Sequence, residues 1–142
     1  MNSHTLHPPA LASLVRGLFT SVCALLACGC AWALEIQPYS AQELARLQSS
    51  NKPVGVHFHA EWCATCKTQE KALQSLRTEP SLSQVTLLVA DYDKEKDLRR
   101  RLRVPAQSTL LVFRGGTEVA RVGGETSADK LRAALIAAVR AP

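Results

Sequence analysis

The chain has 142 residues, 46% of them hydrophobic and 20% charged, with a formal net charge of +5. This length builds one domain with a proper core but not two, and the balance is that of an ordinary globular protein. Aromatics are only 5% and the basic residues are scattered apart from Arg99, Arg100, Arg101 and Arg103, which argues against the dense basic, aromatic-interleaved stripe of a nucleic-acid binder.

Residues 1–16 are polar to mixed, with one firm positive charge at Arg16, and Gly17 to Ala33 carries no charge at all. That run ends in Ala31-Trp32-Ala33, a small-x-small pattern before Leu34. A charged start, an apolar stretch and an A-x-A site describe a secretory signal peptide over 1–33, leaving 34–142 as the folded domain. Two alternatives stay open. The 17-residue run is at the low edge of a membrane span, so it could be an uncleaved N-terminal anchor, and Cys28 or Cys30 could be a lipoprotein attachment site. Each reading exports the domain, to a bacterial periplasm as the expected compartment. Three of the five cysteines (Cys23, Cys28, Cys30) lie in this segment. Its removal leaves Cys63 and Cys66 as the only thiols, which is not a structural disulfide framework.

From residue 40 the elements read α-β-α-β-α-β-β-α. Ser40-Ala-Gln-Glu43 is a capping box that opens a helix from about Ala41 to Gln48. Val54 to His59 is an apolar run rich in β-branched and aromatic residues, suited to a central strand. Cys63 to about Thr78 is helical, ending at Glu79-Pro80. Val85 to Ala90 is continuously apolar, as a strand covered on both faces should be. Asp93 to Leu102 is a charged helix. Leu110–Phe113 and Glu118–Val122 flank Gly115-Gly116, a hairpin signal in which both glycines would take positive φ. Thr126 and Ser127 offer a cap, and Leu131, Leu135, Ile136 and Val139 form the stripe of a terminal amphipathic helix. Helices before, between and after strands predict a three-layer α/β/α sandwich around a mixed sheet of about four strands.

The chemistry is expected in Glu61-Trp62-Cys63-Ala64-Thr65-Cys66-Lys67, which follows the central strand and opens a helix. The free N–H groups and dipole of a helix N-terminus favour an anion, so Cys63 should ionise more readily than an ordinary thiol. A thiolate is the nucleophile of disulfide exchange. Cys66 is about one turn on, close enough to attack a mixed disulfide, so the pair could alternate between dithiol and a Cys63–Cys66 disulfide. The competing reading is a soft-metal module, for copper above all, drawing on Cys63, Cys66 and a nearby histidine from His57 or His59. One C-x-x-C supplies only two of the four ligands a structural zinc takes, so no resident metal is expected. No glycine fingerprint for a nucleotide is present, so no cofactor is expected either.

From these residues the chain resembles the thioredoxin family over most of 40–140. Val54 to Lys67 looks like that family's strand and active-site segment, Val85 to Asp93 like its next strand, Thr109 to Phe113 with Gly116 and Gly124 like its hairpin, and 127–139 like its last helix. The resemblance implies a thioredoxin-like fold and exchange with protein thiol and disulfide substrates. Cys63 would be the attacking thiol, Cys66 the resolving one, and Trp62 would shape the exposed rim. It further implies a monomer recharged by a membrane redox partner.

Three departures from the family pattern stand out. Ser108 occupies the position of a cis-proline that helps hold substrate backbone, which makes Ser108 and Gln107 candidate substrate-binding residues. A cis bond before a non-proline costs about 2.5–4 kcal/mol, so a trans Gln107–Ser108 bond is the expectation. His57 falls where thioredoxins carry a buried aspartate, and is read either as a packed strand histidine or as a group for proton transfer. Ala64-Thr65 between the cysteines lacks both the proline of strongly reducing thioredoxins and the histidine of strong oxidases, which argues against a strong oxidant without fixing a potential; a reductant is the expectation. His59 is expected as filling near the rim, and the Arg99–Arg103 cluster as a solvated helix face or a dock for an acidic partner.

Overall fold

A computed structural model describes residues 33–142. The leader or anchor expected over 1–33, but for Ala33, lies outside the described residues. Five strands, β1 (Glu35–Pro38), β2 (Pro53–His59), β3 (Thr86–Asp91), β4 (Thr109–Arg114) and β5 (Thr117–Gly123), form one mixed sheet in the order β1-β3-β2-β4-β5. β3 runs parallel to β1 and β2, whereas β4 is antiparallel to β2 and β5. The helices are α1 (Ala41–Ser49), α2 (Ala64–Ser75), α3 (Lys96–Arg101) and α4 (Ala128–Arg140), with short 3₁₀ turns at Leu76–Thr78 and Pro80–Leu82.

Strand alternation creates two cores. In β2, Val54, Val56 and Phe58 face a cluster shared with Leu44 and Leu47 of α1 and Leu98 of α3. In β3 and β4, Leu88, Leu111 and Phe113 join that side, while Leu87, Leu110 and Val112 face the opposite one. There they meet Leu73 of α2 and Leu131, Leu135 and Ala138 of α4. The continuously apolar strands follow from this, because both faces of the sheet are covered. Full burial of each such leucine contributes about 1.5–3 kcal/mol. Gly55 lies on the second face, where a Cβ would come within 2.8 Å of Leu87 Cδ1 and 3.1 Å of Leu135 Cδ2. A glycine is required by that close approach.

The layers are those expected from the sequence, with five corrections. The sheet has five strands rather than about four. β1 is only four residues, Glu-Ile-Gln-Pro, too short for a periodicity, and its proline is tolerated because the strand lies at the sheet edge. The second helix starts after Cys63, and its last expected turn, Leu76–Thr78, is 3₁₀. The third helix begins at Lys96, not Asp93, because Asp91 Oδ1 accepts the N–H groups of Asp93 (3.0 Å) and Lys94 (3.1 Å) in a turn. In the hairpin only Gly115 takes a positive φ, 54°. The capping box is half realised. Ser40 Oγ accepts the Glu43 N–H at 3.0 Å, and the Glu43 carboxylate turns instead to Arg46.

Candidate active site

Parallel β2 and β3 end on the same side, and the chain leaving β2 turns at once into α2. Cys63 is the N-cap of α2. Its backbone is extended (φ −89°, ψ 111°), and its Sγ accepts the Cys66 N–H at 3.0 Å. This is the position normally taken by a serine or aspartate oxygen, filled here by sulfur. The Cys63 N–H is itself held by the Ala60 carbonyl at 3.1 Å. Cys63 and Cys66 form a disulfide with their Cα atoms 5.2 Å apart. Burial is uneven, since Cys66 is fully buried and Cys63 keeps 5% of its surface. Of the two cysteines, Cys63 is the one nearer the surface.

The antiparallel pairing of Phe58 with Thr109 delivers the residue before β4 to the cysteines. That residue, Ser108, places its Oγ 4.0 Å from Cys63 Sγ. No peptide bond among the described residues is cis, so Gln107–Ser108 is trans as expected. Ser108 has φ +58°, a left-handed conformation that costs an L-residue roughly 1–2 kcal/mol. It is held there by its N–H, donated to the Phe58 carbonyl at 2.8 Å, and by its carbonyl, which accepts the Gly124 N–H at 2.8 Å. Both main-chain groups of Ser108 are thus engaged inside the protein, and its hydroxyl is what faces sulfur. Gln107, half-buried, is adjacent and takes no part in the hydrogen bonds around the sulfurs.

Trp62 stands on the rim, 64% exposed. Its Nε1–H donates to Asp93 Oδ2 at 2.8 Å, which anchors the indole to the turn after β3.

His57 is buried and alternates with Val56 and Phe58, so it lies on the α2/α4 side of the sheet. Its ring meets that of His59 edge-on at 5.8 Å. Burial lowers its pKa from 6.5 to about 4; a charge on His59 acts in the same direction and the Gln69 side chain opposes it. His57 is therefore neutral at neutral pH. His59 Nε2 lies 3.5 Å from Glu70 Oε2. The donor set imagined for a soft metal is not gathered: among the described residues no three His, Cys, Asp or Glu side chains come together as a metal site.

Gln69 belongs to no motif of the sequence. It is fully buried on α2, its Nε2 donating to the Glu125 carbonyl at 2.7 Å, and its Oε1 is left over for the polar ring of His57. Among the described residues no close hydrogen bond reaches His57 Nε2. The amide couples to His57, raising its pKa. A polar residue in the buried row Cys66, Gln69, Leu73 was the available signal, because an uncharged amide at a core position implies a polar partner there.

Comparison with known proteins identifies the family. The thioredoxin family model matches residues 38–137. The chain is 35% identical over 89 residues to a bifunctional thioredoxin reductase/thioredoxin of Mycobacterium leprae, a match covering 63% of this chain and 19% of that protein. It is 37% identical over 76 residues to a thioredoxin of Mycobacterium tuberculosis, covering 54% of this chain and 65% of that protein. The matched stretch thus spans less than two thirds of the length of either relative. Among solved structures, Trxlp from Edwardsiella tarda superposes with a TM-score of 0.68 at 37% identity, covering 71% of this chain and 98% of that one. The fold is thioredoxin-like, and the chain belongs to the thioredoxin family.

Proposed function

We propose that the protein is an exported thiol–disulfide oxidoreductase that reduces disulfides of protein substrates and is recharged by a membrane redox partner. The observation that carries this reading is the Cys63–Cys66 disulfide at the N-terminus of α2, with Cys63 the less buried of the two. In the reduced protein, Cys63 as thiolate attacks a substrate disulfide, forming a mixed disulfide and releasing one substrate thiolate. The Cys66 N–H and the helix dipole stabilise charge on Cys63 Sγ. Cys66, as thiolate, then attacks Cys63 Sγ and expels the second substrate sulfur, restoring the intramolecular disulfide. The cycle moves two electrons to the substrate, so a donor must return them.

Trp62 and the Ser108 hydroxyl are assigned to the substrate rim, with Gln107 beside them. His57 is assigned to structural packing rather than proton transfer. A ring neutral down to about pH 4 is a weak proton acceptor at neutral pH, where an effective base has a pKa close to the working pH. A cut after Ala33 would leave Leu34, itself fully buried in the second core, as the first residue of an exported domain. Among the described residues no helix is long and apolar enough to cross a membrane.

Insulin reduction by dithiothreitol tests the activity: wild type should accelerate precipitation, and Cys63→Ser should be no faster than buffer. Titration of the couple against glutathione tests the direction, with a value near about −270 mV expected of a reductant and one near about −120 mV refuting it. Fractionation of cells expressing the full chain tests export.

A further inference from the structure

An open groove of about 520 Å³ is lined by Lys96, Arg99, Arg100, Arg103, Val104 and Pro105, the last of these lying three residues before Ser108. Four of these six residues are cationic. One acid, Asp97, is paired with Arg100, while Lys96 and Arg103 are exposed and form no ion pair among the described residues. Arg99 is fixed in place. Its guanidinium lies 3.4 Å from the centre of the Tyr92 ring and donates to both the carbonyl and the hydroxyl of Tyr92. A cation held this way loses little freedom when it meets an anion.

The groove is tied to the rim by two hydrogen bonds from consecutive residues. Tyr92 Oη donates to the Pro105 carbonyl at 2.8 Å, three residues before Ser108. Asp93 accepts from Trp62, next to Cys63. Over residues 91–103 the four acids Asp91, Asp93, Glu95 and Asp97 are outnumbered by the six bases Lys94, Lys96, Arg99, Arg100, Arg101 and Arg103, a balance of +2. The groove's net charge is therefore positive, and its Pro105 end lies three residues before Ser108 in the chain.

We propose that the groove formed by Lys96, Arg99, Arg100 and Arg103 docks an acidic segment flanking the disulfide of a protein substrate. This rests on the thiol–disulfide reading above and adds the substrate class. A protein segment is favoured over an anionic membrane because the cations line a concavity joined to Trp62 and to the Ser108 loop, which an extended chain entering the sulfur site would pass. Charge steering of this kind acts mainly on association and falls steeply with salt.

The test uses three disulfide-bridged peptides with one core sequence and flanks of glutamate, glutamine or lysine. Reduction is followed at low and at high salt. The acidic peptide should have kcat/KM at least about tenfold above the basic one at low salt, with the preference collapsing at high salt. Lys96→Glu/Arg103→Glu should reverse the order and leave the neutral peptide's rate unchanged, and Lys96→Gln/Arg103→Gln should fall between. Anisotropy of a labelled, cysteine-free glutamate peptide is measured on the same proteins, so that docking is read even if no peptide turns over; failure of the neutral peptide to turn over would sink the redox reading alone. The docking proposal is overturned if wild type treats the three peptides alike and binds the glutamate peptide no better than the lysine one. It is equally overturned if the charge-reversed variant keeps the preference, or if it loses only co-sedimentation with phosphatidylserine vesicles.

Discussion

His57 makes a quantitative prediction about stability. Its ring is buried on β2, against His59 on the same strand and Gln69 of α2, with Glu70 the carboxylate next to His59. Folding moves its pKa from 6.5 to about 4. At about 1.4 kcal/mol per pH unit this gap is worth about 3 kcal/mol. Above pH 6.5 neither the folded nor the unfolded chain binds the proton and the group is neutral in its effect. As pH falls from 6.5 toward 4, the unfolded chain takes up a proton that the folded one refuses, so stability declines. Below about 4 the folded ring protonates too and the loss levels off. His57→Gln removes this titration and keeps a side chain able to pair with Gln69. Urea unfolding of the oxidised protein from pH 7.5 to 3.5 should therefore show wild type losing about 3 kcal/mol more than His57→Gln. Groups remote from His57 are common to both proteins and cancel in the difference. The His57 ring, followed by NMR in the folded protein, should titrate near pH 4. Parallel stability curves, or a ring midpoint near 6.5, would refute the reasoning.

Ser108→Gly should raise stability by up to about 1 kcal/mol in urea melts, by relieving the left-handed φ. Ser108→Pro should cost about 3 kcal/mol or more, because proline fixes φ near −65° and removes the N–H that bonds the Phe58 carbonyl. A neutral or stabilising proline would show that the loop re-forms around it. Gly55→Ala should cost about 1–3 kcal/mol, since the new methyl meets Leu87 and Leu135 inside a filled core; an unchanged urea midpoint would mean those leucines yield freely. Cys66→Ser should accumulate a mixed disulfide between Cys63 and substrate, seen as a band on non-reducing gels that dithiothreitol removes, and Cys63→Ser should give none.

Most of the architecture could be read from the chain because its signals are local. Val54–His59 and Val85–Ala90 declare buried strands by composition, Ser40 and Glu43 declare a helix start, and Gly115-Gly116 declares a hairpin. A reactive pair at Cys63 and Cys66 was legible because three residues at the start of a helix bring two sulfurs together whatever surrounds them. β1 was not legible, since four residues pair with β3 only once the sheet exists to receive them.

The tertiary structure alone decided the environment of those sulfurs. Ser108 reaches Cys63 through the pairing of Phe58 with Thr109, 51 positions apart in the chain, and its φ is set by bonds to Phe58 and Gly124. Gln69 finds its acceptor at Glu125, and Trp62 finds Asp93. These are contacts between segments far apart in sequence, where no residue pattern carries the register. Burial, too, is collective: His57 is an ordinary histidine in the sequence, and only the closing of α2 and the sheet around it removes the water that would let it carry charge.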